Sequence, residues 1–126
     1  MNTEQMVSIT QGIVEDFNNL RGHVELAMLL KSDYKDTYTL LFSSKVLDDK
    51  PPFDAIGEVV EFFRERDDEI LEKISSILTV HSEDSSVHRV KGFMLDKGDV
   101  FFVENNEGIE LFDIEINDAI IIKEMI

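Results

Sequence analysis

Residues 54–78, DAIGEVVEFFRERDDEILEKISSIL, decide the fold, because they hold the longest helical pattern in the chain and join two strand-like regions. Ile56, Val59, Val60, Phe63, Ile70, Ile74 and Ile77 recur at three- and four-residue steps, which lines one side of a 3.6-period helix. Asp54, Glu58, Glu61, Glu65, Asp68 and Glu72 occupy the other side. An apolar stripe of this kind has to be covered, and the strand-like segments on both sides of it supply the cover. The spacing therefore predicts a helix laid across one face of a sheet. Pro51 and Pro52 hold the entry extended, Asp54 is expected as N-cap, and Phe53 is expected to pack back onto the first turns. Asp67 falls where the stripe calls for a hydrophobe, so a break is expected near residues 66–67, with Asp67 capping a second, shorter helix.

Toward the N-terminus, Met6, Ile9, Ile13, Phe17 and Leu20 share a helical face between Thr3, expected as cap, and Gly22, expected as terminator. His23 to Lys31 alternates, with Val24, Leu26, Met28 and Leu30 on one side, and predicts a strand with one buried face. Thr37 to Ser44 is rich in β-formers and makes an antiparallel hairpin with it; Lys45 to Pro52 is a loop.

Toward the C-terminus, Ile77 to His81 is a third strand or the tail of the helix. Beyond the polar run Ser82 to Ser86, Val87, Val90 and Phe93 are spaced for one or two helical turns, with an extended path as the alternative. Asp99 to Glu104 and Ile109 to Phe112, around Asn105-Asn106-Glu107-Gly108, give a hairpin signal. Asn117-Asp118 then lies between Ile114-Glu115-Ile116 and the run from Ala119, as a tight turn between strands or a bulge in one. The expected fold class is α+β in a single domain over residues 1–126. It has a mainly antiparallel sheet of about five or six strands, an N-terminal helix, and one long helix, whole or broken, packed on one face.

Twenty-seven acidic residues against twelve basic ones give a formal charge of −15, which opposes attachment to nucleic acid or anionic membrane. No apolar run approaches the ~20 residues of a membrane span, and the first residues lack the order of a secretory signal. The absence of cysteine removes disulfides, thiolate ligands and cysteine nucleophiles. A cytoplasmic protein is expected, with neither nucleic acid nor membrane as partner.

Chemistry-bearing motifs are sparse. Nucleotide-binding glycine patterns and the Gly-x-Ser-x-Gly elbow are absent around Ser43, Ser44 and every other serine. Asp113, Glu115 and Asn117 alternate as oxygen ligands would, yet the same alternation describes the solvated face of a strand. Asp48, Asp49 and Asp54 lack the spacing of a calcium loop. His81, beside Glu83 and Asp84, is the histidine best placed for proton transfer, whereas His23 and His88 read as surface or capping residues. No catalytic residue, metal or cofactor is assigned, and the balance is against an enzyme.

Charge distribution carries the preferred reading. Residues 99–126 hold eight acids and one base, and residues 54–72 hold eight acids and two bases. Exposed together, these sets would form a negative field that steers a basic partner. Glu58, Glu61, Glu65, Glu110, Asp113 and Glu115 are the expected binding residues of a non-catalytic protein with an inhibitor-like or immunity-like role. One alternative is a small-ligand binder or enzyme with a pocket near His81. A second is a homodimeric scaffold joined through Ile120-Ile121-Ile122, a run that is either central in the sheet or an edge in need of a partner.

Overall fold

A five-stranded mixed sheet runs through the centre of the computed structural model, in the order Ile74–Thr79, Tyr38–Ser44, Val24–Lys31, Ala119–Ile122, Val100–Val103. The structure describes residues 1–31, 37–90, 100–103, 109–111, 114–116 and 119–122. Strand β1 is Val24–Lys31, β2 is Tyr38–Ser44, β3 is Ile74–Thr79, β4 is Val100–Val103 and β7 is Ala119–Ile122. β5 (Ile109–Leu111) and β6 (Ile114–Ile116) pair with each other in a separate ribbon. Helix α1 is Thr3–Leu20, α2 is Pro52–Arg66 and α3 is Ile70–Lys73, and a further helical segment covers residues 85–90. The class is α+β with an N-terminal helix. The sheet differs from the expected one in detail, because β3 runs parallel to β2 while the remaining pairings are antiparallel.

The hairpin of β1 and β2 forms with the expected sense, but β1 is buried on both faces and not on one. Its register slips between Val24 and Leu26, a bulge that turns Val24, Ala27 and Leu29 to one side and Leu26 and Met28 to the other. On the first side, these residues, with Leu40, Phe42, Ile120 and Ile122, pack against α1, α2 and α3. Phe17 of α1 is the hub there, edge-on to Phe42 and to Phe62 with ring centroids 5.0 Å apart in each case. Each such pair contributes about 1 kcal/mol beyond simple burial. On the second side, Val87 and Val90 of the segment 85–90 cover Leu26, Met28, Leu41 and Ile121. Asp84 starts that segment by accepting the Ser86 N–H at 2.8 Å, so the helical reading of Val87 and Val90 holds; Phe93 lies outside the described residues.

α1 is capped one residue earlier than expected, by Asn2 and not Thr3. The Asn2 side chain accepts the Gln5 N–H at 2.8 Å while the Gln5 side chain accepts the Asn2 N–H at 2.9 Å, a reciprocal box that Thr3 would leave half empty. Gly22 ends the helix as expected, at φ 152°. Leu20 is 67% exposed and leaves the buried stripe, whereas Val7, Thr10 and Val14 join it.

The organising stretch breaks at Asp67, whose backbone is extended at φ −155° and ψ 97°. Asp67 Oδ1 accepts the Glu69 N–H at 3.1 Å within the turn, but the N-cap of α3 is Glu69, without a side-chain cap bond, and not Asp67 as expected. Asp54 is not the N-cap. Pro52 starts α2 at its first position, where its missing N–H costs nothing and its fixed φ suits the helix, so Asp54 sits within the first turn. Phe53 is 88% exposed and does not pack back. Ile74 and Ile77 continue the helical spacing but belong to β3, because the segment pairs along β2 and buries their side chains on the same helix-covered face.

Two C-terminal expectations are also corrected. β4 pairs with β7 and β5 with β6, so the hairpin expected between β4 and β5 does not form. β6 and β7 are two separate strands in different sheets, which replaces the single bulged strand offered as one alternative around Asn117-Asp118; those two residues lie outside the described ones. The cause is β7 itself. Ile120, Ile121 and Ile122 are apolar toward both faces, which suits an inner strand with β1 on one side and β4 on the other.

Candidate functional site

α2 presents the acids expected to bind a partner, yet each of them already has a cation nearby. Glu58 is half-buried between Lys50 Nζ at 3.3 Å and Arg21 at 3.7 Å. Glu61 meets Arg64 Nη1 at 3.0 Å, one turn along the helix, and Glu65 lies 4.0 Å from Arg66. Arg66 in turn stacks 3.5 Å from the centroid of the Phe62 ring and reaches Asp16 at 3.3 Å. Exposed pairs of this kind contribute ~1 kcal/mol or less, but they mute the field at close range. The exposed face of α2 is therefore of mixed sign, not uniformly acidic.

The C-terminal half of the expected site is reached only in part. The ribbon register sets Glu110 directly across from Glu115. Asp113 and Asn117 lie outside the described residues, so the alternation proposed for a metal is not described either. Among the described residues, no three His, Cys, Asp or Glu side chains gather as a metal site requires.

A different acidic place emerges where α1 begins beside the break after α2. A hollow of about 540 Å³ there is lined by Met1, Glu4, Gln5, Ser8, Ile9, Asp67 and Glu69. Three of its lining side chains are acidic and none is Lys or Arg. Asp68, exposed, adjoins it in sequence. Asp67 and Glu69 are held there by the turn that breaks the helix, in which Ile70 N–H reaches Asp67 O at 3.2 Å. Sequence reading found the break and the acids within it. It had no signal for Glu4, more than sixty residues away, because packing of α1 against α3 brings the two together.

His81 stands at the other end of β3. Its Nδ1 accepts the Glu83 N–H at 3.0 Å, which leaves the ring proton on Nε2, 3.7 Å from Asp48 Oδ2. Asp48 is the better anchored partner: with a side chain only 12% exposed, it accepts the Ser82 hydroxyl and, at 3.0 Å, the Ser82 N–H. The His81 ring is 57% exposed. Ser, Asp and His thus meet, but not in the order of a Ser-His-Asp triad: the Ser82 hydroxyl donates to the Asp48 carboxylate, while His81 Nδ1 accepts the Glu83 N–H. Asp48 acts as a tie between the loop before α2 and the turn after β3. Among the described residues, His23 lies 3.8 Å from Glu25 and His88 lies 3.8 Å from Glu83.

Among the described residues no helix is long and apolar enough to cross a membrane. No family of proteins matches the chain, and neither a characterised protein nor a solved structure is similar to it.

Proposed function

We propose that the chain is a non-catalytic, cytosolic binding protein whose acidic surface engages a basic protein partner, as an inhibitor or immunity protein does. The hollow carries the reading: Glu4, Asp67 and Glu69 outnumber the single positive group of its lining, the Met1 ammonium, in a chain of net charge −15. A concave site with an excess of one sign focuses field lines and raises the encounter rate with a basic partner. Glu61, Glu65, Glu110, Asp113 and Glu115 add to the acidic surplus of the chain, whereas Glu58 serves chiefly to bridge Lys50 and Arg21. His81 in open solvent also favours a binding surface over a pocket built on that ring.

The test begins with recovery of the partner from host lysate at low salt. Affinity is then compared for the parent chain and for a variant carrying Glu4→Lys, Asp68→Lys and Glu69→Lys. Association should slow at least about tenfold at low salt, with the difference shrinking as salt rises. Equal affinity at low salt would refute the reading.

A further inference from the structure

We infer that β3 is a self-association edge, at which a second copy of this chain adds antiparallel about a two-fold axis through Ile77. Among the described residues, β3 pairs with β2 alone and ends the five-stranded sheet. Its inner side is fixed by Val80, whose N–H donates to Phe42 O at 3.0 Å. Backbone direction alternates along a strand, so Ser76 and Leu78 also address β2, while the N–H and C=O groups of Ile77 and Thr79 point away from the sheet. Such groups are a template for another strand.

Edges are usually guarded by charge, proline or bulges. β3 has one guard, the register slip around Ser75 that separates Ile74 from Ser76. From Ser76 to Val80 it is regular and uncharged, in a chain that is 31% charged overall. Leu78 remains 40% exposed beside Leu41, on the face that is otherwise covered by Val87 and Val90.

The identity of the occupant rests on symmetry and charge. A two-fold axis perpendicular to the sheet keeps each face on its own side, so residues that pair must share a face; centring on Ile77 satisfies this and sets Ser76 of one copy beside Leu78 of the other. Lys73 precedes β3 and Glu83 lies beyond it, exposed. Antiparallel addition exchanges the two ends, bringing each Lys73 toward Glu83 of the second copy, whereas parallel addition would set like beside like. The net charge of −15 on each copy opposes association at low salt. Self-association at this edge therefore strengthens as salt rises, opposite in sign to the capture of a basic partner, and the two proposals fail separately.

The experiment measures the mass of the full chain by sedimentation from low to high protein concentration, at low and at high salt. A dimer is expected that grows with both. Thr79→Pro removes one outward N–H per copy without touching the pairing to β2, and should weaken the dimer at least about tenfold. Leu78→Lys, a guard charge at an exposed position, should do the same if the proline variant fails to fold. Because the chain has no cysteine, register can be read directly. A mixture of the Ser76→Cys and Leu78→Cys variants should form a disulfide-linked dimer on oxidation, and neither alone should do so efficiently. A monomer at every concentration and salt, or a dimer indifferent to both edge variants, would overturn the inference.

Discussion

Asp48 joins two loops that the sequence separates by more than thirty residues. A carboxylate so little exposed, accepting both the N–H and the hydroxyl of Ser82, has lost most of its water and depends on these bonds. Asp48→Ala is expected to cost about 2 kcal/mol, read as a lower urea midpoint with an unchanged slope. Asp48→Asn keeps one acceptor and should lose less. Gly22 shows a second residue-scale constraint: at φ 152° its absent Cβ leaves the space that Val46 Cγ1 occupies. The terminator role of Gly22 could be read from its neighbours in the sequence, but the approach of Val46 could not. The same limit applies to Asp48, which stood out as part of an acidic loop while its partner was settled by a contact across the fold.

Helix starts and stops were legible where the deciding group lies within three or four residues. Asn2 illustrates the margin of error, since the Asn2–Gln5 box and a Thr3 cap differ by one position and only reciprocal bonding chooses between them. Asn2→Ala should lower stability by about 1 kcal/mol, with the loss of protection in hydrogen exchange concentrated in the first turn of α1. The break at Asp67 was also local, an acid in an apolar stripe. The strand beyond it was not local: Ile74 and Ile77 fit a helix by spacing, and became part of β3 because β2 offered a partner. Likewise, the β4–β5 turn signal gave way to pairings with β7 and β6, since a turn favours neighbouring strands only when no better-matched strand competes.

Across the whole molecule, unbalanced charge works against the compact state. At −15, repulsion within the chain should exceed the small gains of the exposed pairs around α2, so the melting temperature should rise by several degrees from low to high salt. A fall on adding salt would show that those pairs dominate. Composition, charge, the absence of thiols, the α+β class, the first helix, the β1–β2 hairpin and the interruption at Asp67 were determined by the sequence itself, because each rests on residue types and spacings within a few turns of chain. Tertiary structure alone decided the parallel place of β3, the inner position of β7, the covering of both sheet faces, and the meeting of Glu4 with Asp67 and Glu69. Those depend on which distant surfaces fit and exclude water together, and no local periodicity encodes that choice.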